Sequence, residues 1–353
     1  IAIGYTAYDD ADTENHNLGI GTAALGGPIN GGEYNVAVGN YTLDALTSAD
    51  KNVAIGYLAG SAINSGGGNT LVGNEAGKTI TTGTFNTFFG FEAGDNFDTE
   101  EHNTGVGPSA LGGPIAGGEY NVAMGGNTLV ALTSGDANTA VGYNSGLNLT
   151  TGAENVAYGT GAAYGLTEGA NNVALGANAG YNMSTGTNNI LIGKDAGRTG
   201  SPGGQIDTEN NQLCLGDENI TNAHVQVDWT VASDKRDKTD VSSITMGLNF
   251  VNKLEPVTYR WDKRTNYDDA TPTGEHKEDW LDIGFLAQDV EILENEYGYK
   301  KEDKTNLTTN LSKDGQQYGI QYSKFVPILV KAVQELSAQV TTLQDEIKTL
   351  KDK

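Results

Sequence analysis

The chain has 353 residues, with 45 acidic against 21 basic side chains and a formal net charge of −24. So acidic a surface argues against nucleic acid and anionic membranes as partners. No run of the sequence approaches the roughly 20 apolar residues of a membrane-spanning helix. The single cysteine, Cys214, excludes a disulfide framework and fits assembly in a cytosolic compartment; the four histidines, His16, His102, His224 and His276, show no metal-ligand spacing.

The first two thirds of the chain is periodic. A glycine preceded four residues earlier by asparagine recurs at Gly21, Gly39, Gly56, Gly73, Gly90, Gly107, Gly125, Gly142, Gly159, Gly176 and Gly193, with Gly4 before the series and an irregular copy at Gly216. The step is 17 or 18 residues until the last, which is 23. A short fixed period predicts a β-solenoid, in which each coil stacks only on its neighbours.

Within each copy the residue before the glycine is bulky and apolar, as in Val38, Ile55, Phe89 and Leu175. Two before it stands a small residue, as in Ala37, Ala54 and Ala174, and three before it a β-branched one, as in Val36, Val53 and Thr70. This alternation reads as a short strand. The bulky side is expected to fill a core and the flat Ala/Gly side to face another surface. Seventeen residues suggest two short strands and two turns per coil. The 11 asparagines from Asn17 to Asn189 suit turns and, stacked, would form an amide ladder; a row of ligand contacts is the alternative. Thirteen layers at about 4.8 Å give a rod of roughly 60 Å. Several copies wound about one axis would cover the flat face, which predicts a cyclic homo-oligomer.

Residues 12–39 return almost unchanged at 98–125, five coils later, so duplication built the rod. His16 and His102 occupy the same position in it, beside the acidic stretches 12–15 and 98–101. A calcium site there would lack the EF-hand pattern, and no cofactor or metal is expected. These repeats resemble the head repeats of trimeric bacterial adhesins of the YadA type, which are left-handed parallel β-rolls.

After Gly216 the composition changes. Residues 1–232 carry 4 Lys and Arg, 23 Asp and Glu and 43 of the 49 glycines, whereas residues 233–353 carry 17 basic and 22 acidic side chains. The expected organisation is a shaft over 1–216, a linker over 217–232, an α+β domain over 233–322 and a coiled coil over 323–353. The last rests on Val326, Val333, Val340 and Ile347 at heptad position a and Leu329, Leu336, Leu343 and Leu350 at d.

Three motifs stand in order in the third segment. They are Ser233-Asp234-x-Arg236-x-Lys238, then Leu254-x-Pro256-Val257-x-Tyr259-x-Trp261, then Gly284-Phe285-Leu286-Ala287-Gln288-Asp289-Val290. Together with the terminal heptads they resemble the C-terminal intramolecular chaperone of phage tail spikes, tail fibres and neck appendages, the S74 peptidase family. The resemblance implies a domain that trimerises, helps fold the β-structured shaft upstream and then cuts itself off. It places cleavage at Ala232–Ser233, the nucleophile at Ser233 and the basic partner at Lys238, with Asp234, Arg236, Asp282, Gln288 and Asp289 in support. Members commonly carry a histidine where this chain has Asp282, so the parts of Asp282, Gln288 and Asp289 stay open. A serine hydroxyl needs a base, and a lysine serves if desolvation or a neighbouring cation such as Arg236 lowers its pKa.

The expectation is therefore a mainly β, homotrimeric fibre protein of a virion, assembled in the host cytoplasm, that meets a host cell-surface receptor. The chain opens inside a repeat, at Ile1-Ala2-Ile3-Gly4, so an N-terminal region that joins it to other virion proteins is expected upstream. The competing expectations are a tail spike that degrades surface polysaccharide, which needs two positioned carboxylates, and a bacterial surface adhesin.

Overall fold

A computed structural model of the chain describes residues 1–9, 15–220, 222–226, 229–312 and 315–352. The chain divides into two compact units, Ile1–Thr221 and Asn222–Lys353.

The first unit is a parallel β-solenoid. Thirteen strands, β1 (Ala2–Ile3) to β13 (Leu213–Leu215), lie in sequence order in one sheet, each paired in parallel with the next. The register is in phase, so Ala37, Ala54, Leu71, Phe88 and Gly105 stack directly. Each coil has one strand, where the sequence suggested two. The return side is a series of tight turns, and residues two and four after each glycine adopt left-handed backbone, as at Tyr41, Leu43, Leu129 and Asn144. These turns stack as the strands do: Leu25 N donates to Thr42 O at 3.0 Å and Leu43 N to Ala59 O at 3.2 Å.

The two faces of the strand are the reverse of the sequence expectation. The small central residues point inward, and Ala37, Ala54, Ala123 and Ala174 are wholly buried. The bulky residues before the glycines point out: Ile55 is 41 % exposed, Phe89 57 % and Tyr158 59 %. The physical reason is width. The coil interior is filled from the turn side by Leu46, Ile63, Ile80, Phe97, Leu132, Leu149, Leu166 and Met183, all buried. Little room remains for the strand, except where the opposing turn residue is glycine. A Cβ on Gly94 would strike the Phe88 ring, and one on Gly77 the Leu71 side chain. So the strand centre and the residue four after the glycine are not both large: Leu43 goes with Ala37 and Leu129 with Ala123, whereas Gly77 goes with Leu71 and Gly94 with Phe88.

The asparagines form the expected ladder, buried at its edge. In each rung Oδ1 accepts from the backbone N–H of the next asparagine, as from Asn103 to Asn86 at 2.9 Å. Nδ2 closes the coil by donating to a carbonyl further along the same coil, as from Asn69 to Gly83 at 2.9 Å. The left-handed residue is the one before the asparagine, such as Tyr34 or His102, and not the asparagine itself. With both amide ends used on the chain, the ligand alternative falls away.

The second unit is α+β. It contains helix α1 (Leu248–Val251), the antiparallel pair β14 (Val257–Tyr259) and β15 (Asp282–Gly284), helix α2 (Ala287–Glu296), the antiparallel pair β16 (Thr309–Leu311) and β17 (Tyr318–Ile320), and helix α3 (Phe325–Lys351). Met246, Phe250, Val290, Leu293, Phe325 and Ile328 make its core. Helix α3 gives Phe325, Ile328 and Ala332 to that core and leaves its heptad residues exposed, from Val326 to Leu350.

The ladder yields a stability prediction. Asn86→Ala leaves Glu100 O and Asn103 N without their partner in a buried setting, at about 1–3 kcal/mol each. Thermal unfolding should show a clear fall in Tm, while Asn74→Ala, on the exposed side of the same coil, should leave it nearly unchanged.

Candidate self-cleavage site

The segment after residue 232 is extended and then makes one turn of 3-10 helix over Lys235–Asp237. Asp234 caps that turn, its carboxylate accepting from Arg236 N at 2.9 Å. The Arg236 guanidinium folds back onto the same carboxylate, with Nη2 at 2.6 Å from Oδ2. This side-chain bond, with the backbone one, holds the Asp234 carboxyl below the usual carboxylate range. The turn brings residue 238 back towards residue 233. Lys238 Nζ donates to Ser233 Oγ at 2.5 Å. Both residues are exposed, as is every residue from Val231 to Asp240.

The other residues singled out from the sequence lie on different elements. Asp282 opens β15, where Tyr259 Oη donates to it at 3.4 Å and the backbone N–H of Ile283 at 2.8 Å. Burial first, then the Asp282 charge, pushes the Tyr259 phenol up. Gln288 and Asp289 are exposed in the first turn of α2. Asp289 lines a shallow concavity of about 320 Å³ with Lys253, Leu254, Leu286 and Ile292. Among the described residues no hydrogen bond or ion pair joins Ser233 or Lys238 to Asp282, Gln288 or Asp289. Arg236 is engaged by Asp234, so it is not free to act on Lys238.

Sequence reasoning missed the strongest buried polar centre of this unit. Glu294 on α2 is fully buried. Its carboxylate accepts from the backbone N–H groups of Leu307 (3.3 Å) and Thr308 (2.6 Å) and from the hydroxyls of Thr308 (2.8 Å) and Thr309 (2.5 Å). Its role is to hold the entry of β16 on α2. Helix phase could have found it, since position 294 shares the inward face of Val290 and Leu293. Glu335 on α3 does the same for α1, accepting from Leu248 N at 2.7 Å. That bond, with Lys331 beside it, lowers the Glu335 carboxyl.

At the duplicated coils the acidic residues serve the backbone. Glu100, nearly buried, accepts from Asp98 N at 2.8 Å and from Gly117 N at 2.9 Å. His102 is stacked between Phe85 and Tyr120, with ring centroids 5.2 and 5.1 Å away. The first copy of the acidic stretch, Asp12 to Glu14, lies outside the described residues. Among the described residues no three His, Cys, Asp or Glu side chains converge as metal ligands would.

Residues 233–299 match the model of the S74 peptidase family, described as the chaperone of endosialidase. The matched segment opens on Ser233 itself, takes in Lys238, Asp282, Gln288 and Asp289, and ends before α3. The second unit of the chain thus carries an S74-type chaperone domain behind a β-solenoid. No curated protein and no solved structure matches the chain.

Removing the Glu294 carboxylate strands four donors in the interior. Glu294→Ala is expected to destabilise the second unit by at least about 3 kcal/mol. Urea unfolding followed at Trp261 and Trp280, both in that unit, should show an earlier midpoint, with the shaft transition unmoved.

Proposed function

We propose that the chain is a phage fibre or appendage protein whose S74-type domain assembles three copies, templates the shaft and then cuts at Ala232–Ser233. The observation that carries this reading is the Lys238–Ser233 contact of 2.5 Å. It sits at the first residue of the S74 match, between the repetitive unit and the chaperone.

The chemistry follows from the residues. The Ser233 hydroxyl adds to the carbonyl carbon of Ala232 while Lys238 Nζ, in its neutral form, takes the hydroxyl proton. Collapse breaks the Ala232–Ser233 C–N bond, and the proton passes to the departing Ser233 amine. The acyl group of Ala232 then rests as an ester on Ser233 Oγ. Water hydrolyses that ester, which leaves a carboxylate on Ala232 and a free hydroxyl and amine on Ser233. Lysine acts as such a base when desolvated or beside a free cation. Arg236 is occupied, so desolvation has to come from covering this exposed segment. A neighbouring copy in the trimer supplies that cover, which couples cutting to assembly.

Two exposed apolar features support the trimer. One is the outward strand face, Ile55, Phe89, Met124, Tyr158 and Ile192 among its residues. The other is the a/d seam of α3, whose residues are all exposed and which forms the coiled coil. The trimer axis is therefore assigned to the bulky strand face, where the sequence had suggested the flat one. In the virion the shaft reaches a host cell-surface receptor.

Mass spectrometry of the expressed chain should give one species ending at Ala232 and one beginning at Ser233. Ser233→Ala should stay whole. Lys238→Arg, which keeps the charge and cannot act as a base, should slow cutting by on the order of 100-fold or more. Cutting at the wild-type rate in Ser233→Ala would overturn the assignment of the nucleophile.

The folding role has its own test. Light scattering of the whole chain should give three times the monomer mass. Residues 1–232 made alone should aggregate or remain unfolded, whereas the same shaft released after folding should resist heat. An equal yield of stable trimer from residues 1–232 alone would remove the chaperone role.

A further inference from the structure

The outward face of the solenoid is wider than its three-residue strands. Exposure alternates from the residue before each asparagine to the residue after the following glycine, so four residues per coil point out, as Phe85, Thr87, Phe89 and Phe91 do. The first and last of the four form two edge columns along the rod. One runs through Tyr34, Phe85 and Tyr120 and the other through Tyr57, Phe91 and Tyr143, and these six rings are 45 to 61 % exposed. Stacking of Phe85 on His102 and of His102 on Tyr120 fixes the first column. The shaft is strongly acidic, yet from Tyr34 to Tyr143 neither column holds an acidic residue. The acids of these coils sit elsewhere, as Glu33, Asp50, Glu75 and Glu92 do. The columns also match in size. Tyr120 shares its coil with Gly126, Tyr143 with Ala137 and Lys51 with Tyr57, and only the coil of Phe85 and Phe91 has an aromatic ring at both edges. Lys51 is the one lysine or arginine of the first unit that has no acidic partner among the described residues.

We propose that the two columns are the halves of one joint, in which the Tyr120 edge of each copy packs against the Tyr143 edge of the next. The inference rests on the trimeric reading above and names the residues that close the ring. Strand faces turned to a common axis meet edge to edge, and rotation sets the first edge of one copy against the last edge of its neighbour. Copies related by rotation about the rod stand at equal height, so the partners come from the same coil. There Tyr120 covers the backbone at Gly126 of the next copy, and Tyr143 fills the space beside Ala137. Lys51 meets the Tyr57 ring in a cation–π contact, which gives the lone cation a partner. Two observations select a second copy as the occupant. Both columns continue the apolar face already assigned to the trimer, and their sizes are complementary coil by coil. Like edges set together would instead oppose Tyr120 to Tyr120 and Lys51 to Lys51.

The test is a link from edge to edge. Full-length Cys214→Ser protein carrying Ala137→Cys and Tyr143→Cys has one thiol on each edge, whether or not the chain cuts itself. A short bis-maleimide should then give a covalent trimer on a denaturing gel. A link inside one chain would leave a monomer, so the trimer band reports contact between unlike edges alone. Ala137→Cys or Tyr143→Cys singly, in the same background, should stay monomeric on the gel. Lys51→Cys/Tyr57→Cys repeats the test at another coil, so loss of assembly at one coil does not silence it. A protein that is trimeric by light scattering but yields no covalent trimer, or whose single-cysteine forms link in pairs, overturns the joint and leaves the trimer standing. A wild-type chain that is not trimeric overturns both.

Discussion

The narrow interior of a 17-residue coil is the constraint on which the rest of this molecule depends. At most two large apolar side chains are buried in a rung, and the turn side holds most of them. Where the turns supply both, as Leu25 with Ile29, Leu43 with Leu46 and Leu129 with Leu132, the strand answers with glycine or alanine. Where the strand does bring in a large residue, as at Leu71 and Phe88, the facing turn gives way to glycine at Gly77 and Gly94. The same closeness appears along the stack. At Gly56 (φ +141°) a Cβ would run into the carbonyl of Gly73. The asparagine ladder then pins each coil to the next through buried amides, without which the turn carbonyls would be left unpaired.

Filling the inside from the turns forces the bulk of the strand outward. A single chain thus exposes β-branched, aliphatic and aromatic side chains on rung after rung, beside a surface that elsewhere is acidic. Burying an exposed Ile or Phe is worth about 1.5–3 kcal/mol, so covering such residues along the rod, as in the proposed trimer, would outweigh the entropy of bringing chains together. The acidic exterior keeps the finished rod apart from its neighbours.

The period, the parallel stack and the amide ladder were legible because each recurs at a fixed offset. The long terminal helix was legible from Val326 to Leu350 because seven-residue spacing has one reading. Which strand face is buried was not legible. Alternation gives two faces but does not say which is inside, and reading bulk as core puts Ile55 and Phe89 on the wrong side. The missing information lay in Ile63 and Phe97, outside the strand. The single strand per coil was hidden for a related reason: left-handed backbone at Tyr41, Leu43 and Leu58 breaks what reads as an extended run. At the candidate site the local contacts were legible, since six residues from Ser233 to Lys238 span one turn. Glu294 was not, because an acidic residue on a helix reads as solvated until the segment that covers it is known.

Repetition that makes the shaft easy to build also makes it hard to align. Successive rungs present similar outward residues, and residues 12–39 and 98–125 are near copies. Three chains displaced by one coil would still match on twelve of the thirteen rungs. The energy gap between correct and slipped register is therefore a small part of the total, although leaving the slipped state requires breaking all of it. A landscape with such near-degenerate minima traps its chains. In the proposed trimer, register has to be set where the sequence is unique, before the rungs engage. The second unit is unique throughout, with an interior tied by Glu294 and Glu335, and it carries the helix whose seam faces outward. An alignment device of this kind is needed once, and the proposed cut at Ala232–Ser233 would let the shaft keep the register after the device has gone.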